Sequence, residues 1–147
     1  MDKKIRNAVR TILIENNKVV VIKYKNHDTG YYDIPGGKIE DGETAEEASL
    51  REFKEETGVI INKQHCIGYS TIEYPERIYQ FTIYVVDEYT GIPQEFEENY
   101  SMWVDIDNLY KEPKLFPSIE LIKHLKDDMN IKIDSDSNHN IINIECK

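Results

Sequence analysis

Residues 36–59 read GGKIEDGETAEEASLREFKEETGV and join a glycine-rich loop to a strongly charged segment. Thr44, followed three residues later by Glu47, forms a capping box, which is typical of the start of a helix. Gly58 follows the charged run and is typical of a helix end. The stretch therefore predicts a turn-rich loop and then one helix over residues 45–57.

Three carboxylates share one face of this predicted helix. At about 100° per residue, Glu52, Glu55 and Glu56 are i, i+3 and i+4 neighbours. Like charges at this spacing repel one another unless a cation lies among them. Carboxylate oxygens suit Mg²⁺ or Mn²⁺, whereas zinc prefers His and Cys. The charge pattern alone is typical of a solvated acidic helix face, and a metal site is the alternative interpretation.

Two further groups of residues on this helix are predicted to have separate roles, one beside a ligand and one against a sheet. Ala48 and Ser49 are small and lie beside the glutamates, so they are expected to leave room for a ligand. An apolar flank, suited to packing against a sheet, is formed by Leu50, Phe53 and Thr57.

Strand-like runs flank this stretch on both sides. They cover residues 9–14, 19–24, 59–74, 77–89 and 102–104. Asn16-Asn17 lies between the first two runs, which predicts that they form a hairpin. A last amphipathic helix is predicted to begin at Pro117 and to carry Ile119, Leu121, Ile122 and Leu125.

The composition limits the class of protein. The 147 residues suffice for one domain with its own core, and 28 acidic against 18 basic side chains give a net charge of −10. That charge argues against a nucleic-acid partner or an anionic membrane surface. No apolar run approaches the ~20 residues that span a bilayer. The two cysteines, Cys66 and Cys146, lie far apart and lack the spacing of a metal site, which fits a reducing compartment. The first residues do not have the pattern of a signal peptide, so a cytoplasmic protein is expected.

The last residues, 129–147, differ in composition from the rest of the chain. They are rich in Asn, Ser and Asp with interspersed isoleucines. Both an edge hairpin and a loosely held extension fit this pattern. The domain itself is predicted to cover residues 4–128.

The order of the parts in residues 36–59 resembles the Nudix box, G-x5-E-x7-R-E-U-x-E-E-x-G-U, where U is a bulky aliphatic residue. Its fixed positions are filled by Gly37, Glu43, Arg51, Glu52, Glu55, Glu56 and Gly58. Phe53 at the first U is aromatic, a departure that concerns packing and not chemistry. The resemblance implies an α+β fold in which a mixed β-sheet is sandwiched between helices (α/β/α).

The resemblance also implies an activity. Nudix hydrolases use a divalent cation, usually Mg²⁺, to cleave the pyrophosphate link of a nucleoside diphosphate joined to another group. By position, Glu52, Glu55 and Glu56 are the metal-binding glutamates, and the backbone carbonyl of Gly36 completes the site. Arg51 is expected to orient a glutamate by a charge-assisted hydrogen bond, and Glu43 to support the loop and the helix start.

The general base is open, because the family places it in the box or on a later loop. Glu52 and Glu55 are the candidates within the box. Glu97 and Glu98 stand where a later carboxylate of the family often lies, and they are further candidates for metal binding. A solvated acidic loop is the alternative for this pair.

Residues outside the box are expected to recognise the substrate. Tyr24, Tyr32 and Tyr74 are candidates for stacking on a base, and Arg77 for contacting a phosphate; ordinary strand positions are the alternative. A nucleoside triphosphate, ordinary or oxidised, is the first expectation. Nucleotide sugars, ADP-ribose and dinucleoside polyphosphates follow.

Two further points rest on the resemblance. Nudix domains are often dimeric, so a homodimer is expected. A catalytically silent Nudix domain that senses a nucleotide or metabolite is the alternative function. Such domains usually lose box glutamates, and this sequence retains them all. A Ca²⁺-binding surface would leave the Gly-Glu-Arg spacing unexplained, and the EF-hand loop pattern is absent from the sequence.

Overall fold

A computed structural model describes residues 3–124, 131–136 and 141–146. The strands are β1 (Lys4–Ile12), β2 (Ile14–Glu15), β3 (Lys18–Tyr24), β4 (Gly36–Lys38), β5 (Ile60–Glu73), β6 (Arg77–Thr90), β7 (Asn99–Asp105), β8 (Ile131–Asp136) and β9 (Ile141–Cys146). The helices are α1 (Ala45–Thr57), α2 (Ile106–Leu109) and a 3₁₀ helix (Pro117–His124). Within these residues, no helix has the length and apolar character needed to span a bilayer.

The strands form a mixed sheet and a smaller antiparallel sheet. The larger sheet has the order β4-β1-β6-β5-β8-β9, and the smaller one β2-β3-β7. β1 runs parallel to β6, and β5 parallel to β8, whereas β4 and β9 pair antiparallel with their neighbours. This arrangement places β1 in the larger sheet, between the short β4 and the long β6.

The predicted hairpin at the start of the chain is only partly correct. Asn16 and Asn17 do form the turn, with φ values of 52° and 62° that suit a tight hairpin. However, only Ile14–Glu15 pairs with β3, while β1 ends at Ile12 and belongs to the other sheet. The error arose because pairing of β1 with the distant β6 leaves no local signal in the sequence.

Helix α1 has the predicted bounds and both predicted caps. The Thr44 hydroxyl accepts a hydrogen bond from the Glu47 amide at 3.1 Å, and the Glu47 carboxylate accepts one from the Thr44 amide at 3.1 Å. Gly58 adopts φ 79° and donates its amide to the Lys54 carbonyl at 2.9 Å. The helix is therefore closed at both ends by the signals that predict it.

The packing of α1 corrects two expectations. Ala48 and Ser49 are fully buried, and the Ser49 hydroxyl lies 2.6 Å from that of Thr11 on β1. These small residues therefore let the helix approach the sheet and leave no room for a ligand. Phe53 is buried as expected, but Leu50 is 41% exposed. The surface of α1 that contacts the sheets is narrower than the predicted apolar flank, and Leu50 lies outside it.

The larger sheet is covered on both faces, as the α/β/α fold class requires. On one face, Ala48 of α1 packs against Val9 and Tyr84. On the other face, Leu109 of α2 and Ile119 of the 3₁₀ helix close the main hydrophobic core. Alternate residues of β1 therefore belong to different cores.

The last helix begins at Pro117, as predicted, and is a 3₁₀ helix. Ile119 and Ile122 are buried as expected, because a period of three residues per turn places both on the same side. The expected contribution of Leu125 lies outside the described residues. Beyond it, β8 and β9 pair with each other at the edge of the larger sheet. The domain boundary at residues 128 and 129 stays a prediction.

Candidate active site

Arg51 connects the acidic residues around α1. Its Nε and Nη2 donate to the two carboxylate oxygens of Glu43 at 2.7 and 2.9 Å. Nη1 donates to Glu52 at 2.8 Å and to Glu55 at 3.2 Å, and Nη2 also donates to the Lys38 carbonyl at 2.9 Å. One guanidinium therefore joins the loop before the helix to two glutamates on the helix.

This network changes the protonation behaviour of its members. Hydrogen bonds from Arg51 lower the pKa of Glu43 to about 2, so this carboxylate stays ionised. Burial raises the pKa of Glu52, although Arg51 opposes the shift. The repulsion expected among the glutamates is thus offset in this structure by an arginine.

Glu56 has a different environment from Glu52 and Glu55. It is only 9% exposed, and its Oε1 accepts a hydrogen bond from the Gly36 amide at 2.9 Å. Burial raises its pKa to about 8, although the hydrogen bond from Gly36 opposes the shift. A buried carboxyl group of this kind, on the wall of a cavity, is typical of a functional site.

The box glutamates line one cavity of about 490 Å³, which we call the acidic cavity. Its walls include Tyr24, Gly36, Glu52, Glu55, Glu56 and Glu98. Asn99 donates its side-chain amide to the Glu56 carbonyl at 2.9 Å and thereby fixes the start of β7, next to Glu98, against the end of α1. Glu97 is exposed and is not among the residues that line this cavity.

The carboxylates of the acidic cavity are not drawn together. Within the described part of the chain, no three Asp, Glu, His or Cys side chains are gathered closely enough to hold a metal ion. Arg51 holds Glu52 and Glu55, whereas Glu56 is bonded to Gly36.

A second cavity of about 690 Å³, which we call the aromatic cavity, adjoins the first. Its aromatic walls are Tyr24, Tyr74, Tyr79, Phe81 and Phe116, and its charged walls include Arg10, Lys38 and Arg77. Three of the four residues expected to bind substrate, Tyr24, Tyr74 and Arg77, therefore lie together. The fourth, Tyr32, is not among the lining residues, and its ring lies 4.8 Å from the ammonium group of Lys23.

Tyr24 and Gly36 line both cavities. The two cavities are therefore neighbours, one lined by carboxylates and the other by aromatic rings. The sequence shows neither the shared wall nor Arg10 and Phe81, because they come together only when distant strands pair.

The two glycines at this wall are required by close contacts within the protein. A Cβ atom on Gly36 would lie 1.9 Å from the Val9 carbonyl oxygen, and one on Gly37 would lie 2.4 Å from the Glu52 carboxyl carbon. Glycine at these two positions therefore lets the loop approach β1 and the Glu52 side chain.

Comparison with known proteins agrees with this geometry. The NUDIX domain model matches residues 4–125. The 8-oxo-dGTP diphosphatase of Escherichia coli K12 is 33% identical over 130 residues, which cover 84% of this chain and 99% of that protein. The ADP-ribose pyrophosphatase of Methanocaldococcus jannaschii is 36% identical over 121 residues, which cover 79% and 70% of the two chains.

The fold also agrees with solved structures. The MutT protein of Bacillus halodurans matches with a TM-score of 0.78 over 97% of each chain, at 18% identity. The box residues, the mixed sheet covered on both faces and the match over residues 4–125 lead to one assignment. The chain belongs to the Nudix family.

Proposed function

We propose that the protein is a Mg²⁺-dependent hydrolase that cleaves the pyrophosphate bond of a nucleoside diphosphate linked to another group. The observation that carries this proposal is the shared wall of Tyr24 and Gly36. It joins a cavity lined by four carboxylates to a cavity lined by aromatic rings. A nucleotide has the same two parts, a polyphosphate and a flat base.

The donor atoms of the acidic cavity are of the type that suits a magnesium ion, although Arg51 and Gly36 hold its carboxylates apart in this structure. Glu52, Glu55 and Glu56, with the Gly36 carbonyl, would supply oxygen ligands, which hard divalent cations prefer. Mn²⁺ fits the same donors. A cation held there would offset the repulsion between the polyphosphate and this acidic protein and would supply Lewis-acid chemistry to the phosphoryl oxygens.

The protein's own residues position the reacting groups. Arg51 holds Glu52 and Glu55 through one guanidinium nitrogen, and Glu43 fixes that guanidinium from the other side. We infer that the roles of Arg51 and Glu43 are positional, since neither lines the acidic cavity. Glu98 lines that cavity and Glu97 does not, which makes Glu98 the general-base candidate of the later loop; Glu52 and Glu55 are the candidates on α1.

A nucleoside triphosphate, ordinary or oxidised, is the first substrate to test. The relative from E. coli is named for 8-oxo-dGTP and the one from M. jannaschii for ADP-ribose, so both compounds belong in the panel. Nucleotide sugars and a dinucleoside polyphosphate complete it. The silent sensor domain has no specific observation in its favour, because all box glutamates are present.

The partners and location follow as proposals from charge and resemblance. A net charge of −10 disfavours nucleic acid and anionic lipid as partners, and we propose a cytoplasmic enzyme acting on small molecules. We propose a homodimer by resemblance to the family, and light scattering after size-exclusion chromatography measures this directly.

The function is tested by phosphate and pyrophosphate release from the panel, with Mg²⁺ and with a chelator. E56Q removes a carboxylate of the acidic cavity, and E46Q makes the same change at an exposed position on the same helix outside that cavity. We expect turnover that needs Mg²⁺, survives in E46Q and falls at least about a hundredfold in E56Q. If no compound is hydrolysed while one raises the melting temperature, the sensor function replaces this proposal.

A further inference from the structure

Arg10 is a charged residue on an apolar face of β1. It lies between Ala8 and Ile12 on the same side of the strand, and both of these neighbours belong to the main hydrophobic core. Arg10 is only 9% exposed. A buried charge is costly unless it is paired and hydrogen-bonded, so an arginine at this position requires compensation from its surroundings.

Part of that compensation comes from within the protein. The Arg10 Nη2 lies 3.2 Å from the Asp33 carboxylate, whose side chain is 2% exposed. The guanidinium carbon lies 4.3 Å from the centre of the Phe81 ring, and Nη1 lies 3.5 Å from the Ile34 carbonyl, at the limit of a hydrogen bond. The Tyr24 hydroxyl provides a further interaction. These contacts hold the guanidinium in one place.

The hydrogen bonds of Arg10 are nevertheless incomplete. A guanidinium has five N–H donors and no acceptor. Among the described residues, its acceptors are single groups on Asp33, Ile34 and Tyr24, and its buried Nε has no hydrogen-bond partner. Buried donors are nearly always paired in folded proteins. Nε itself is closed to a ligand because it has almost no accessible surface, so the N–H groups left for one are those on Nη1 and Nη2.

The position of Arg10 indicates which ligand group can supply an acceptor. Arg10 and Phe81 line the aromatic cavity, and Arg10 is not among the residues that line the acidic cavity. Gly36, which lies opposite Arg10 in the pairing of β4 with β1, forms part of the wall between the two cavities. Arg10 thus lines the cavity assigned to the ring, while its charge also interacts with Glu56 of the acidic cavity.

We propose that Arg10 is a specificity-determining residue that donates a hydrogen bond to a ring carbonyl of the nucleobase, so that 6-oxopurines are preferred to 6-aminopurines. This inference rests on the proposed function, because it assigns the aromatic cavity to the base of a nucleotide. Arginine typically binds the O6/N7 edge of guanine, whereas the amino group of adenine would place a second donor against its N–H groups.

Binding of dGMP and dAMP, measured by calorimetry, tests the inference without requiring hydrolysis. We expect the wild type to bind dGMP about ten- to a hundredfold more tightly than dAMP. R10K retains the charge beside Asp33 but loses the planar fork, so the preference should fall at least about tenfold. R6K makes the same change on the same strand outside the aromatic cavity and should retain the preference.

A second variant keeps the test valid if an altered charge pair disturbs folding. R10M alone would leave Asp33 as a buried carboxylate without its arginine, so R10M/D33N removes both charges together. This variant should also lose the preference while its melting transition stays cooperative.

Three results would overturn the inference. The first is equal affinity of the wild type for the two monophosphates. The second is a preference for dGMP that survives in both R10K and R10M/D33N. The third is an equal loss of affinity for dGMP and dAMP in these variants, which would indicate that Arg10 contacts the sugar or the phosphate. If dGMP is preferred through Arg10 but no nucleotide is hydrolysed, only the proposed function fails. If nucleotides are hydrolysed without any purine preference, only this inference fails.

Discussion

At the residue scale, Arg51 organises the acidic site. Its two-pronged contact with Glu43 and its bonds to Glu52 and Glu55 fix three carboxylates relative to one another. A lysine carries the same charge but has no planar fork, so it cannot reproduce all these bonds. The geometry of the site therefore depends on the shape of this side chain as well as on its charge.

We expect R51K to fold but to lose about 10- to 100-fold in kcat/KM, with a raised Mg²⁺ requirement, because the glutamates are no longer held. Steady-state kinetics over a Mg²⁺ titration measure both effects. R6K, at a position outside the acidic cavity, is the control. Unchanged kinetics in R51K would show that Arg51 does not position the glutamates.

Glu43 predicts a specific dependence of stability on pH. Its pKa is lowered to about 2 by Arg51, compared with about 4.3 in an unfolded chain. The stabilisation is therefore fully present above the unfolded pKa and is lost as the pH falls toward 2. We expect the difference in unfolding free energy between wild type and E43Q to be constant from about pH 7 to 5 and to shrink below that.

Urea unfolding of both proteins at pH values from 7 to 3, with a chelator present, measures this difference. Subtracting the unfolding free energy of E43Q from that of the wild type removes the contribution of groups that titrate equally in both proteins. A difference that stays constant down to pH 3 would contradict the coupling of Glu43 to Arg51.

The same substitution is expected to have different effects at Gly36 and at Gly37. In G36A the new methyl group would meet the Val9 backbone, so we expect the protein to lose stability. In G37A it would meet only the end of the Glu52 side chain, which can move away. We therefore expect G37A to keep most of its stability and to lose activity, as measured by thermal unfolding and kcat. Full activity in G37A would show that the position of Glu52 is unimportant.

At the element scale, α1 carries three glutamates of the acidic cavity and also packs against the larger sheet. Its start depends on the capping box of Thr44 and Glu47. We expect T44A to lower the free energy of unfolding by about 1 kcal/mol, because one amide of the first turn loses its acceptor. Urea unfolding measures this, with T29A in an exposed loop as the control. Equal stability of T44A and T29A would mean that the cap contributes nothing.

The same scale shows which elements can be predicted from sequence. Each cap of α1, and the Asn16-Asn17 turn, depends on residues that are only a few positions apart in the sequence. The structure confirms these predictions. The assignment of β1 to the larger sheet depends on pairing with β6, which lies about seventy residues away. The predicted hairpin of residues 9–14 with β3 is confirmed only at Ile14, because no local pattern records the pairing of β1 with β6.

At the scale of the whole molecule, two cavities meet at one wall. The sequence predicts most of the acidic cavity, because three of its four glutamates lie within about one turn of a single helix. The aromatic cavity joins side chains of β1, β3, β5 and β6, so its composition emerges only from the tertiary structure. This is why Tyr24, Tyr74 and Arg77 were predicted only as members of a larger set of candidates, and why Arg10 was not predicted at all.

The central claim is that the two cavities bind one nucleotide, with its phosphates in the acidic cavity and its base in the aromatic one. The most direct measurement is the steady-state hydrolysis of the best nucleotide substrate by wild type, E56Q and Y74A in the presence of Mg²⁺. We expect E56Q to lose at least about a hundredfold in kcat. Y74A, which removes a ring from the aromatic cavity, should raise KM while leaving kcat within a few-fold. Retained kcat in E56Q, or an unchanged KM in Y74A, would contradict this claim.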